Sequence, residues 1–170
     1  MPSGTTNFQT RIDIAPDTRQ QLITLLNQQL AQTLDLYTQT KQAHWNVKGT
    51  DFFQLHELFD EAAENIFKYI DTIAERVTAL GGYANGTARM AASSSSLPEY
   101  PREAIDGRQH LEALIERYAR YAASNRKALD ESQNAGDAAT ADIFTDIARD
   151  ADKQLWFLEA HLQAATQKAG

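Results

Sequence analysis

The stretch HWNVKGTDFFQLHELFDEAAENIFKYIDTIAE, residues 44–75, decides how this chain is read. It closes one helix, turns at Val47-Lys48-Gly49, and opens a second helix predicted from about Asp51 to Leu80. His56, Asp60, Asp71 and Glu75 fall on that second helix. At about 100° per residue the three acids lie roughly 40°, 60° and 100° from His56, so all four share one stripe. The stripe is too long for one ion. Asp60 and Asp71 stand about 16 Å apart along the axis, whereas metal–ligand bonds are near 2 Å. The four positions are, however, symmetric about a point between Asn65 and Ile66. Two copies of the helix crossing antiparallel there set His56 opposite Glu75 of the second copy, and Asp60 opposite Asp71. A two-fold dimer then holds two identical clusters of imidazole and carboxylate. The site is expected between subunits, because a C2 interface pairs one surface with itself.

Upstream of this stretch, Leu22, Ile23, Leu26, Leu30, Leu34 and Tyr37 recur at threes and fours, which predicts a first helix from about Pro16 to Trp45. Residues 1–14 are polar and are expected to form an extended, mobile arm, leaving residues 15–167 as one domain. In the second helix, Asp51 and Gln54 have the spacing of a capping pair. Leu55, Leu58, Phe59, Ala62, Ile66, Ile70, Ile73 and Val77 supply its apolar face, and Gly81-Gly82 ends it. Residues 81–100 are rich in Gly, Ser, Asn and Pro, with one short helix expected near Thr87 to Ala92. That connector is far longer than an antiparallel hairpin needs. It is read as a crossover that makes the second and third long helices parallel. The third is predicted from Pro101 to about Ser132. The fourth follows from Asp137, with Ile143, Phe144, Ile147, Leu155, Leu158 and Leu162 inward. Four long helices with one long crossover define an all-α, ferritin-like four-helix bundle.

Composition narrows the function. The 170 residues contain no cysteine, which excludes disulfides and thiolate metal sites. No apolar run approaches the roughly 20 residues of a membrane span, and the N-terminus has no hydrophobic signal core, so a cytoplasmic location is expected. The net charge of −7 argues against a dominant basic surface for nucleic acid.

Imidazole plus carboxylate without sulfur suits Fe²⁺, Mn²⁺ or Zn²⁺. His44 joins the set, since an antiparallel hairpin brings it level with His56. The plain alternative is that His56/Asp60 and Asp71/Glu75 are ordinary i,i+4 neighbours on a wet face. An intrachain di-iron centre would use Glu-x-x-His, and no histidine here has Glu three residues before it. His110 and His161 read as packing or surface residues.

KQAHWNVKG, the His44/His56/Asp60/Asp71/Glu75 series, DTIAERVTALGG and ARDADKQLWFLEAH closely resemble the Dps family of bacterial mini-ferritins, over about residues 20 to 165. The resemblance implies a homo-oligomeric shell of twelve subunits with 23 symmetry and a ferroxidase centre at each two-fold interface. It implies that His44, His56 and Asp60 come from one subunit and Asp71 and Glu75 from the other. Asp60 binds metal directly or acts through a water. Fe²⁺ would be oxidised, preferably by hydrogen peroxide, and stored as a ferric mineral; zinc is a substitute ion. Trp45 and Trp156 are candidate electron donors that intercept radicals, Trp156 with a plain core role as the alternative. Asp137, Asp142 and Asp146 resemble the acids of the family's three-fold pore, although acids also favour a first helical turn. DNA binding is the competing reading, and only a weak one is expected. Residues 1–20 carry Arg11 and Arg19 against Asp13 and Asp17, and the last ten residues offer only Lys168. A scaffold without chemistry is the third.

Overall fold

The computed structural model describes residues 7–166, with side chains described through residue 163. Five helices follow one another: α1 (Pro16–Asn46), α2 (Phe52–Ala79), the short α3 (Ala88–Ser94), α4 (Gly107–Asn134) and α5 (Ala138–Thr166). No strand occurs among the described residues. The four long helices form the bundle, and α3 lies in the crossover.

Helix directions follow from side-chain partners. Ascending α1, Gln29 meets Ser124, Thr33 meets Tyr121 and Thr40 meets Tyr118, so α4 runs antiparallel to α1. The turn at residues 47–51 folds α2 back along α1, which makes α2 and α4 parallel, as the crossover requires. Between α2 and α5, Tyr69 meets Asp150 and Arg76 meets Asp137, again antiparallel.

Leu22, Leu26, Leu30 and Leu36 of α1 pack against Phe59, Ile66, Ile73 and Val77 of α2, and against Leu114, Phe144, Ile147 and Leu158. Each such buried side chain contributes about 1.5–3 kcal/mol by leaving water. The α1–α4 seam is more polar than the apolar periodicity suggests. Buried Thr33, Thr40, Tyr118 and Tyr121 satisfy one another there, so burying their hydroxyls is not penalised.

Two helix starts differ from expectation. α4 begins at Gly107 rather than Pro101. Asp106 accepts from Gln109 N–H while the Gln109 side chain accepts from Asp106 N–H, a reciprocal cap that fixes the start. Pro101 instead begins a turn closed by Ala104 N–H. The Ile105 carbonyl accepts from Lys48 N–H, which holds this segment beside the α1–α2 turn. At α2, Asp51 occupies the cap position but its side chain makes no cap hydrogen bond, so the Asp51/Gln54 pair does not form. The short helix is present, with Thr87 accepting from Met90 N–H at its start.

Residues 7–14 carry no helix and lie against the bundle, while residues 1–6 of the expected arm lie outside the described residues. Phe8 N–H donates to Gly81 O, and Ile12 and Ile14 pack on the core. Gly81 has φ +87°, and a β-carbon there would meet the Phe8 carbonyl, so only glycine fits.

Candidate metal centre

His44 closes the last turn of α1, and His56 begins the second turn of α2. The tight turn between them brings the imidazoles face to face, ring centres 3.8 Å apart and planes inclined by 23°. His44 Nδ1 lies 2.8 Å from the His56 carbonyl oxygen, and His56 Nδ1 lies 2.9 Å from the His44 carbonyl oxygen. A carbonyl can only accept, so both Nδ1 atoms carry the proton. In a neutral ring so held it is Nε2 that carries the lone pair, the form in which imidazole binds a metal. The ring of His44 is almost covered, which limits its freedom to turn.

Asp60 lies one turn further along α2. Its Oδ1 is 3.9 Å from His44 Nε2 and forms an ion pair with Lys41. The Lys41 hydrogen bond holds the Asp60 carboxyl below its usual range; burial opposes this, and the Lys41 charge adds to it. Lys41 was not singled out by the sequence. The available signal was its place one turn before His44 on the face turned to α2.

Asp71 and Glu75 are exposed at the far half of α2, and among the described residues neither carboxylate has a hydrogen-bond or ion-pair partner. No three His, Asp or Glu side chains gather closely enough to hold a metal ion among the described residues of one chain. Thus the structure brings His44, His56 and Asp60 together and leaves Asp71 and Glu75 apart from them. Phe67 stands between the two groups on the same stripe, roughly 20° from His56. It is 58 % exposed, with its ring 5.2 Å from Tyr37. In the sequence, the one signal for this large apolar side chain is its position next to the symmetry point.

Trp45 is 62 % exposed, its ring 5.9 Å from Lys41 Nζ, and Trp156 is 60 % exposed rather than in the core of the chain. Of the three acids near α5, Asp142 and Asp146 are exposed, and Asp146 pairs with Arg149. Asp137 is buried. It receives Arg76 on both oxygens and caps α5 through Ala139 and Thr140 N–H. Burial would raise the Asp137 pKa, but Thr140 and Arg76 outweigh it and hold the carboxyl below the usual range. His110 is buried and His161 exposed.

The bundle geometry and the split donor set define a ferritin-like protein, and the family model for the ferritin-like domain matches residues 23–167. The DNA protection during starvation protein of Agrobacterium fabrum is 48% identical, covering 91% of this chain and 95% of that one. The structure of DpsC from Streptomyces coelicolor is 34% identical with TM-score 0.88, covering 92% of each chain. A Dps structure from Vibrio cholerae, described as a member of a broad superfamily of ferritin-like diiron-carboxylate proteins, is 28% identical with TM-score 0.85. It covers 91% of this chain and 97% of that one. This chain belongs to the Dps family.

Proposed function

We propose that this protein is an iron-storing ferroxidase whose centres form between two copies of the chain, and that twelve copies enclose the stored ferric mineral. The observation that carries this reading is the pair of His44 and His56 rings. Both are held through Nδ1 by reciprocal carbonyl contacts, and His56 lies on α2, whose unpartnered Asp71 and Glu75 repeat the His56/Asp60 spacing in reverse. Exposed Phe67 beside the symmetry point supports an antiparallel crossing of two α2 helices, since a contact there removes its ring from water.

In such a centre, His44 and His56 of one copy donate neutral nitrogen, and Asp71 and Glu75 of the other donate anionic oxygen. Iron is the substrate. Two ferrous ions each give one electron to hydrogen peroxide. The O–O bond takes both electrons and breaks to two hydroxides, so no hydroxyl radical leaves. Asp60, already anionic through Lys41, can bind iron directly or orient a bound water. Exposed Asp142, together with Asp146 beside its Arg149 partner, would draw cations to a three-fold opening, with Asp137 holding the start of α5 behind them. Zinc fits the same donors without redox chemistry. A cytoplasmic location agrees with the absence of cysteine, and none of the described helices is long and apolar enough to cross a membrane.

The test is anaerobic addition of Fe²⁺ followed by peroxide, with ferric absorbance as the readout. Wild type should oxidise iron rapidly, and the His44→Ala/His56→Ala variant should fall to the rate of free Fe²⁺. Equal rates would leave a scaffold without this chemistry. DNA binding is the second reading, favoured by the name of the Agrobacterium relative. The negative net charge and the sparse basic residues of the termini make it weak.

A further inference from the structure

We propose that Tyr100 and His110 form a buried sink for one-electron oxidising equivalents, in which Tyr100 gives up an electron while its hydroxyl proton passes to His110 Nδ1. The Tyr100 hydroxyl lies 2.6 Å from that nitrogen, and both side chains are buried. Burial lowers the His110 pKa and so favours the neutral ring, whose Nδ1 can accept the phenol hydrogen bond. A tyrosine becomes an accessible electron donor when a base waits to take its proton, because the charged phenol radical cation is then never formed.

Among the described tyrosines this pairing is distinctive. Tyr118 and Tyr121 meet the hydroxyls of Thr40 and Thr33, which are poor bases. Tyr69 meets Asp150, but Lys68 occupies the same oxygen. Burial would raise the Asp150 pKa, yet the Lys68 and Tyr69 hydrogen bonds hold it below the usual carboxylate range, which makes it the weaker base.

The surroundings of His110 suit a transient proton. Its Nε2 has no hydrogen-bond partner of acceptable geometry, although the Asn46 carbonyl lies close enough to favour protonation, as does Asp106; Lys48 opposes it. The Arg117 guanidinium lies 5.3 Å over the Tyr100 ring. A cation on that face withdraws charge and makes Tyr100 harder to oxidise. Only a strong oxidant then takes its electron, and ferric iron does not.

The pair also borders the candidate centre. The His110 ring packs 6.5 Å from that of Phe59, the residue before Asp60, and Tyr100 lines the same groove as Trp45. The oxidant is hydroxyl radical, released with hydroxide and Fe³⁺ when a lone Fe²⁺ meets peroxide. It gains one electron to become hydroxide, and Tyr100 becomes a neutral phenoxyl with His110 protonated. One electron from a further Fe²⁺ or a thiol restores Tyr100, and the proton returns. The proposal rests on the ferroxidase reading only for the source of this oxidant.

Two experiments therefore test it separately. In the first, protein with less than one Fe²⁺ per centre is mixed with peroxide and frozen. Electron paramagnetic resonance should show a phenoxyl signal in wild type that is lost in Tyr100→Phe, while bulk iron oxidation keeps its rate. The second is iron-free and stands whether or not the protein oxidises iron. Azide radicals oxidise the exposed tryptophans in a Tyr83→Phe background, and transient absorbance follows first-order transfer from indolyl to phenoxyl. The phenoxyl rise should vanish in Tyr100→Phe. In His110→Gln, which keeps a polar group but removes the base, it should slow and lose its solvent deuterium effect. A phenoxyl yield in Tyr100→Phe equal to that of the Tyr83→Phe parent overturns the proposal, as does an unchanged rate in His110→Gln.

Discussion

Arg76 and Asp137 show how one residue pair secures the region around the candidate pore. Asp137 is 4 % exposed and depends on Arg76 for two hydrogen bonds. Arg76→Leu leaves that carboxylate buried without its cation, and should lower stability by about 3 kcal/mol, read as a lower midpoint in denaturant. The pH dependence has a fixed sign. The folded-state pKa of Asp137 lies below its unfolded value, so its contribution is present above the unfolded value and is lost as pH falls through the folded one. An acid titration of wild type should lose this contribution below the ordinary Asp range. In Arg76→Leu the loss should begin at higher pH.

The same scale explains which site residues were legible. His44 and His56 stood out because imidazole is rare and its spacing across a turn is informative. Lys41 did not, since a lysine on a helix face is ordinarily solvated. Only the folded hairpin shows it paired to Asp60. Asp137 likewise read as one acid among three, because its partner Arg76 is distant in sequence.

At the scale of elements, the four long helices and the crossover were visible as apolar residues at threes and fours, interrupted by glycine and proline. The helix starts were less visible. Pro101 is permitted in a first turn but does not compel one, and the reciprocal cap of Asp106 with Gln109 decides where α4 begins. Asp106→Ala should therefore cost about 1 kcal/mol of stability. The loss should appear as faster amide exchange in the first turn of α4, with α5 unaffected. The Arg117 side chain plays a related part for the crossover. Buried between Gln39, the Ala113 carbonyl and the Glu99 carbonyl, it holds residues 99–100 against α1 and α4. Arg117→Met should loosen the crossover, and limited proteolysis should cut near residues 95–102 at protease levels that leave wild type whole.

For the whole molecule, the proposed chemistry lies between chains. Phe67→Lys puts a charge where two α2 helices are proposed to cross, and sedimentation should show smaller species. Iron oxidation should be lost with assembly although every proposed ligand is retained. In the proposed shell, twelve copies at −7 each would carry roughly −84 formal charges, which would repel phosphate within about a Debye length. DNA retardation should accordingly be absent at moderate salt; tight binding that weakens steeply with added salt would favour the second reading.

Complementation between two inactive variants tests the shared centre most directly. His44→Ala/His56→Ala lacks the nitrogen donors, and Asp71→Asn/Glu75→Gln lacks the distant acids; each alone should fail to oxidise Fe²⁺. When the two are unfolded, mixed in equal amounts and refolded together, a mixed dimer regenerates one intact centre of its two. About a quarter of wild-type activity should return for random pairing through a self-matching interface. A mixture that assembles fully yet stays inactive would contradict a centre built from both chains.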